Sequence, residues 1–143
     1  MPKANIFLIL GGIGSALVAI LHVFIIYFGA SAYRFFGAGE EMAIMRENGS
    51  LIPDLITAFI VIVFIGFSIY AFTAAKRLNR HLPFLKFGLI AIASIYLIRG
   101  LALPFLLIFT PEKIAPLILW SSLISLSFGL CYAIGYKLWI KQI

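Results

Sequence analysis

The stretch of residues 51–75, LIPDLITAFIVIVFIGFSIYAFTAA, decides the fold class of this chain. It holds a single charged residue, Asp54, close to its start. A helix needs about 20 residues to cross about 30 Å of hydrocarbon, whereas a strand of a membrane barrel needs only about 9–11. Backbone groups that face lipid must be hydrogen-bonded within the structure, and a helix meets that condition by itself. The stretch therefore predicts a transmembrane helix.

The same pattern occurs three more times in the chain, at residues 6–28, 84–109 and 114–139. Of all residues, 64% are hydrophobic and 11% are charged, and the mean hydropathy is +1.14. Soluble domains contain about 45–50% apolar and about 25% charged residues. A soluble fold of 143 residues could not cover so much apolar surface. We predict an all-α membrane protein with one domain, residues 1–143, that forms a four-helix up-and-down bundle.

The first apolar stretch has an alternative interpretation as a cleaved signal peptide. Lys3 places a positive charge before it, and Gly14-Ser15-Ala16 resembles a small-residue cleavage site. The apolar run nevertheless continues to Phe28, which makes it longer than the about 7–15 apolar residues of a signal peptide. We therefore predict that this segment is retained as a transmembrane helix.

The basic residues predict the orientation of the helices. Four crossings place both termini and the second loop on one side, which carries seven Lys and Arg residues: Lys3, Lys76, Arg77, Arg80, Lys86, Lys137 and Lys141. The other side carries only Arg34, Arg46 and Lys113. Because Lys and Arg concentrate in cytoplasmic loops, we expect both termini in the cytoplasm and the protein in a bacterial inner membrane.

The acidic residues show the opposite distribution, since all five fall on the outer side: Glu40, Glu41, Glu47, Asp54 and Glu112. Acids contribute little to orientation, so this distribution is not a topology signal. The basic side favours anionic lipid headgroups, and the net charge of +6 therefore indicates contact with membrane lipids. No basic stretch with interleaved aromatic residues lies outside the membrane, and we expect no nucleic-acid partner.

Two further patterns concern the packing of the bundle. In the first outer loop, the run from Glu40 to Glu47, stopped by Asn48-Gly49, predicts a short interfacial helix,. Small residues recur at helical spacing in the first and fourth segments and let helix backbones approach closely in lipid. They predict a packing seam, either within the bundle or in a dimer, formed by Gly11, Ser15, Ser121, Ser125, Gly129 and Ala133.

Arg99 is the most informative single residue, because it lies inside the third apolar segment. An arginine near the centre of a transmembrane helix costs about 2.5–3.5 kcal/mol on insertion scales. Counted back from Phe109, Arg99 lies about 15 Å from the outer end of its helix at about 1.5 Å per residue. We expect it to face the interior with a partner, in a functional site or in a structural ion pair.

Several other polar residues fall in the same outer half of the membrane. His22 in the first segment lies about 9 Å below the outer end at about 1.5 Å per residue. Each residue alone has a simpler interpretation, as a packing histidine, a helix-start charge or a solvated face. Taken together they predict a polar, outward-opening ligand pocket lined by His22, Tyr27, Arg34, Glu40, Glu41, Asp54, Tyr96 and Arg99.

Several chemistries are disfavoured by the positions of these residues. Haem ligation by two histidines needs both at one depth, but His81 is in the second loop. No Cys and His spacing fits zinc, and Glu40 and Glu41 are adjacent, so on a helix they point about 100° apart. Ser31 or Ser50 could approach His22, but neither lies in a nucleophile motif. We therefore predict no catalytic residues, no metal and no cofactor.

Three segments of the chain resemble small four-helix inner-membrane proteins of bacteria. They are residues 22–29, residues 33–40 with the sequence YRFFGAGE, and residues 96–101 with the sequence YLIRGL. This resemblance spans most of the chain and implies the fold but no particular activity. The chain is also similar in size and helix count to DoxX-type proteins and small multidrug transporters, although it has no diagnostic motif of either. Those transporters rely on a deep glutamate in the first helix, where this chain has His22.

Three functions follow as hypotheses. In the first, the pocket binds or transports a small amphipathic or anionic molecule, with Arg99 as the charge anchor and His22 as a proton-linked switch. In the second, the protein is an accessory subunit of a larger membrane complex, and Arg99 pairs with a partner's acid. In the third, it is a membrane enzyme that acts on a lipid or quinone. We favour the first, which is not enzymatic, and expect a homodimer or a membrane partner.

Overall fold

The computed structural model describes residues 5–113 and 116–143, and this part of the chain is helical with short connections. The helices are α1 (Ile6–Phe28), α2 (Ala30–Phe35), α3 (Glu40–Glu47), α4 (Ile52–Ala74), α5 (Leu85–Phe109) and α6 (Pro116–Ile140). A single 3-10 turn, Pro111–Lys113, follows α5. Lys3 and the predicted start of the fourth helix at residue 114 lie outside the described residues.

Four of the described helices, α1, α4, α5 and α6, are long and apolar enough to cross a membrane. Each has 23 or 25 residues, so at about 1.5 Å per residue it extends about 35–38 Å. Their observed ends lie within two residues of the predicted ends that fall in the described part of the chain. The prediction of a multi-pass membrane protein with four apolar helices is confirmed.

Glycines in left-handed backbone conformations mark the start of both short helices. Gly29 (φ +71°) directly precedes α2, and Gly39 (φ +108°) directly precedes α3. Residues with a Cβ rarely adopt such φ values, whereas glycine does so at little steric cost. These two positions therefore separate α1 from α2 and allow α3 to begin.

The end of α4 is closed by a hydrogen-bonded turn of the Schellman type. The backbone N–H of Arg77 donates to the Phe72 carbonyl at 2.8 Å, and that of Lys76 donates to the Thr73 carbonyl at 3.0 Å. Glycine usually occupies the left-handed position of such a turn, but here the residue is Lys76 (φ +57°). The turn satisfies carbonyls at the end of α4 and starts the basic loop that leads to α5.

The chain divides into two compact units. The terminal unit consists of Met1–Ser15 and Gly66–Ile143, and the loop unit consists of Ala16–Ile65. The terminal unit contains α5, α6, the first part of α1 and the last part of α4. The loop unit contains the remainder of α1 and α4 together with α2 and α3.

In the terminal unit the backbones of α5 and α6 pack closely against each other. A Cβ built on Gly100 would lie 2.8 Å from the backbone nitrogen of Leu126, and one built on Gly129 would lie 2.9 Å from that of Leu97. These paired contacts show that α5 and α6 run antiparallel. Gly129, one of the predicted seam residues, thus lies where α6 meets α5 of the same chain.

A smaller apolar core organises the loop unit. Ile25 of α1, Ala32 and Tyr33 of α2, and Ala43 of α3 are buried together. Phe36 and other partly buried apolar side chains pack around them. The core holds the two short helices against the end of α1, so the segment after α1 is an ordered part of the unit.

Candidate functional site

His22 lies on α1 within the loop unit and is half-buried. Its Nδ1 is 2.8 Å from the carbonyl oxygen of Val18, one turn earlier on the same helix. Because a carbonyl can only accept, Nδ1 carries a proton and donates it to that oxygen. The ring also packs against Phe64, with 5.5 Å between the ring centroids. One nitrogen of His22 is thus engaged by its own helix.

Asp54 is the centre of a polar network at the start of α4. The hydroxyl of Tyr33 donates to Oδ1 of Asp54 at 3.0 Å, and Nε of Arg46 lies 2.9 Å from Oδ2. The N–H of Arg46 does not point along that line, so this contact is an ion pair by distance and not a hydrogen bond. The network connects α2, α3 and α4, since each helix contributes one of these residues.

Tyr33 is also bound to a second side chain of α4. Its hydroxyl lies 3.0 Å from Oγ1 of Thr57, which in turn lies 2.8 Å from the Pro53 carbonyl. Burial raises the pKa of the Tyr33 hydroxyl, and its hydrogen bond to Asp54 adds to that effect. Tyr33 therefore stays protonated at neutral pH and acts as a hydrogen-bond donor toward Asp54.

Arg34 holds both ends of α3 through two carboxylates. Its Nη2 lies 2.8 Å from Glu40 Oε1 and 3.0 Å from Glu47 Oε2, and its Nε lies 2.9 Å from Glu40 Oε1. The planar guanidinium suits such paired contacts. The hydrogen bonds that Arg34 donates lower the pKa values of Glu40 and Glu47, and the same bonds, accepted by Glu47 and Glu40, raise the pKa of Arg34. All three side chains are exposed, so the cluster is a surface clamp.

A buried chain of hydroxyls lies in the terminal unit. Ser15 Oγ is 2.8 Å from the Tyr96 hydroxyl and 2.9 Å from the Tyr132 hydroxyl, which is 3.0 Å from the Phe67 carbonyl oxygen. Since the carbonyl can only accept, Tyr132 donates to it. Ser15 then donates to Tyr132, and Tyr96 donates to Ser15. Each of the three hydroxyls donates one hydrogen bond, and this series of hydrogen bonds ends at the Phe67 carbonyl oxygen.

Arg99 is where the structure departs from the sequence prediction. We expected its side chain to face the interior with a partner, but it is exposed on the surface of α5. The buried face of α5 contains Leu89, Ile92, Ala93, Tyr96 and Gly100. Among the described residues the ion pairs involve Arg34 and Arg46, and none involves Arg99. The expected interior position of Arg99 is therefore wrong.

The remaining predicted pocket residues are on the surface. Tyr27 is 81% exposed and meets the ring of Phe28 edge-on, with 5.3 Å between the centroids. Glu41 is exposed at the start of α3. Within the loop unit the structure joins Arg34 with Glu40, and it joins Asp54 with Arg46 and Tyr33. Tyr96 belongs to the hydroxyl chain of the terminal unit.

Sequence reasoning missed four residues of the network and the clamp, namely Tyr33, Arg46, Glu47 and Thr57. One signal was present, since Thr57 follows Pro53 at the four-residue spacing that brings its hydroxyl to that carbonyl,. The contacts between α2, α3 and α4 depend on how these helices fold back on one another. In the described part of the chain, no group of three His, Cys, Asp or Glu residues could hold a metal ion.

A comparison with protein-family models, one with curated proteins and one with solved structures find no match. The class of protein is therefore defined by the fold alone, as a multi-pass membrane protein with four apolar helices in its described part.

Proposed function

We propose that this protein is an assembly subunit of a membrane complex. In this proposal it binds, through α5, a different protein whose transmembrane helix carries an acidic residue, and that acid pairs with Arg99. The observation that supports the proposal is the exposed arginine in the middle of an apolar helix. Within the terminal unit the sequence contains only one acid, Glu112, and it lies after the end of α5.

The position of Arg99 along α5 makes an unpaired charge costly. It lies ten residues before Phe109 and fourteen after Leu85, so it is about 15 Å from one end and about 21 Å from the other. An arginine at such depth costs about 2.5–3.5 kcal/mol on insertion scales. A partner's carboxylate on the same face would offset that cost by pairing with the guanidinium.

A second copy of this chain is a poor source of that carboxylate. Glu40 and Glu47 are held by Arg34, and Asp54, in the first turn of α4, is held by Arg46. The other two acids of the chain, Glu41 and Glu112, lie outside the four apolar helices. The proposal therefore assigns the acid to a different protein, and a homodimer by itself leaves Arg99 unpaired.

The proposal includes an arrangement of the chain in the membrane. The four long helices cross in an up-and-down bundle that forms one domain, and α3 lies at the membrane interface. Both termini face the cytoplasm of a bacterium, and the protein resides in the inner membrane. The distribution of Lys and Arg supports this orientation,. The charges at both ends of α3, together with its buried Ala43, support the interfacial position.

A second candidate function is the binding or transport of a small amphipathic or anionic molecule. An exposed Arg99 is accessible from the lipid phase, so an anionic amphiphile could reach it there. This function is less well supported, because Arg34, Glu40, Asp54 and Tyr96 already have partners within the chain. This second proposal also includes a pocket that opens outward, a proton-linked role for His22 and the participation of Tyr27 and Glu41.

Native mass spectrometry of the tagged protein, purified from its own membrane in mild detergent, tests the assembly function. We expect a stoichiometric companion with an Asp or Glu inside a membrane span. Arg99→Leu should lose the companion, whereas Arg99→Lys should keep part of it. Arg77→Leu is the matched control, since it removes one arginine from the exposed loop after α4.

Three results would contradict the assembly function. One is a wild-type protein that purifies without a companion, and another is an Arg99→Leu variant that keeps its companion. The third is a companion that has no acid in its membrane spans. Charge reversal adds a direct check, because Arg99→Glu should recover binding when the partner's acid is replaced by arginine.

A further inference from the structure

A second charged surface lies on residues 75–86, which comprise the connection between α4 and α5 and the first two residues of α5. It contains four cationic residues and one histidine, and all of these side chains are exposed: Lys76, Arg77, Arg80, His81 and Lys86. The sequence has no acid anywhere between residues 55 and 111. None of the ion pairs in the described part of the chain involves these cations. Residues 75–86, here named the basic loop, therefore present their full positive charge.

Both ends of the basic loop are attached to α4. At its start, the backbone N–H groups of Lys76 and Arg77 donate to carbonyls of the last turn of α4. At its end, the hydroxyl of Tyr70 donates to the Pro83 carbonyl at 3.1 Å. The ring of Tyr70 also occupies the space that a side chain on Gly88 would need. Tyr70 therefore brings the first turn of α5 next to the last turns of α4, and the cations are held within a short span.

The end of α6 adds two more cations to this side of the terminal unit. Gly100 of α5 lies beside Leu126 of α6, and Leu97 lies beside Gly129. The same antiparallel register, carried to the start of α5, places Lys141 at the level of Leu85 and Lys137 one turn further along. Both lysines are exposed. Six cations without an acid thus occupy one end of the unit.

Exposed apolar side chains lie among these cations. Phe84 is 78% exposed, Phe87 is 66% exposed and Leu78 is 37% exposed. Since the loop joins two helices that are able to span a membrane, these side chains lie at the end of the apolar segments, where headgroups and acyl chains meet. Aromatic side chains are favoured at that boundary. A soluble acidic partner would not account for the phenylalanines, whereas a lipid surface does.

We propose that the basic loop and the last turn of α6 form a binding surface for anionic phospholipid headgroups. The occupant is the phosphate of a lipid such as phosphatidylglycerol, in the leaflet that the loop faces. The cations bind the phosphates, and Phe84 and Phe87 pack against the adjoining acyl chains. Each cation near an anionic surface contributes about fivefold to the preference for anionic over neutral lipid.

Energy transfer from a tryptophan to pyrene-labelled lipid measures this preference. The chain has two tryptophans, and Trp120→Phe leaves Trp139, near the end of α6, as the only donor. The protein is reconstituted in vesicles with equal amounts of phosphatidylcholine and phosphatidylglycerol, and either lipid carries the label in turn. We expect stronger transfer to labelled phosphatidylglycerol, and a loss of about fivefold in preference for each of Arg77→Gln and Arg80→Gln.

Asn79→Ala is the matched control, because it alters the same loop without a change in charge. Circular dichroism and gel filtration check that each variant is folded, and Lys137→Gln repeats the test from a different helix. Equal transfer to the two lipids in the wild type would overturn the proposal, as would a preference that the double loss of Arg77 and Arg80 leaves undiminished. Charge-dependent binding of a polyglutamate peptide without lipid preference would assign the surface to an acidic protein instead and overturn it too.

Discussion

Replacement of Tyr132 by phenylalanine tests whether the buried hydroxyl chain stabilises the terminal unit. Tyr132 is fully buried, with 0% relative exposure, and its hydroxyl takes part in two hydrogen bonds, one to Ser15 and one to the Phe67 carbonyl. Tyr132→Phe removes both bonds while the ring keeps its packing against Tyr96, whose centroid is 5.7 Å away. The change therefore isolates the hydroxyl from the aromatic contact.

The expected cost follows from the number of bonds that each hydroxyl makes. A hydrogen bond between membrane helices contributes about 0.6 kcal/mol on average, and one in a soluble core contributes about 0.5–1.5 kcal/mol. Tyr132→Phe removes two bonds, so we expect the free energy of unfolding to fall by about 1–3 kcal/mol. Tyr96→Phe removes the bond to Ser15 and leaves the hydroxyl of Tyr132 in place, so it should cost less than Tyr132→Phe.

Unfolding in mixed micelles of increasing SDS content, followed by circular dichroism, provides the assay. Tyr27→Phe is the matched control, because that side chain is 81% exposed and its loss of a hydroxyl should leave stability within about 0.5 kcal/mol. A double-mutant cycle between Ser15→Ala and Tyr96→Phe should show a coupling energy above that noise. Wild-type stability in Tyr132→Phe, or a larger effect of Tyr96→Phe than of Tyr132→Phe, would refute the hydrogen-bond assignment.

Three further predictions concern packing, an unpaired hydroxyl and pH. Gly100→Ala should destabilise the protein by about 1–3 kcal/mol, because the new Cβ would lie 2.8 Å from the backbone of α6. Gly66→Ala is the control and should be neutral or stabilising, since no atom lies within 4 Å of its new methyl group. The same micelle assay compares the two variants. Ser122→Ala should leave stability unchanged or raise it, since the Oγ of Ser122 is buried without a hydrogen-bond partner in the described structure,; a clear loss of stability would contradict this. The two carboxylates bound by Arg34 have lowered pKa values in the folded protein. Their contribution to the stability of the folded state is therefore fully present above the ordinary pKa of 4.5, and it is lost as the pH falls through the lowered pKa values,. The protection factor of the α3 amides, which is the intrinsic exchange rate divided by the observed rate at the same pH, should therefore fall in acid. Arg34→Gln should remove that fall, and a loss of protection in acid that persists in this variant would contradict the assignment.

The long helices were predictable from the sequence because their signal is local. Each apolar run has to satisfy its own backbone hydrogen bonds in lipid, and its length alone reports a membrane crossing. The observed ends, such as Ile52–Ala74 and Leu85–Phe109, agree with this reasoning to within a residue at these ends. The positive φ of Gly29 and Gly39, in contrast, could not be assigned in advance, since the sequence does not state where the chain turns.

The candidate site was only partly predictable, and Arg99 shows why. Its depth follows from a count along α5, but the side of the helix that it faces depends on where the neighbouring helices pack. Tyr96 and Gly100, which lie three residues before and one residue after Arg99, are on the buried face of α5. A shift of one or three positions along the helix therefore moves a side chain from the core to the surface. A helix that is apolar around most of its circumference has no polar stripe to show that boundary from its sequence.

Composition and segment length alone show that this is a membrane protein, how many apolar helices its described part contains, and which charges are available to it. Those properties depend on composition and on segments of the chain about 20 residues long, because each segment must cross the hydrocarbon layer of the membrane by itself. Only the tertiary structure decided that Arg99 is exposed, that Arg46 holds Asp54, and that Ser15 joins Tyr96 to Tyr132. Each of these depends on how helices that are distant in sequence pack and turn about their axes, and no local pattern encodes that arrangement.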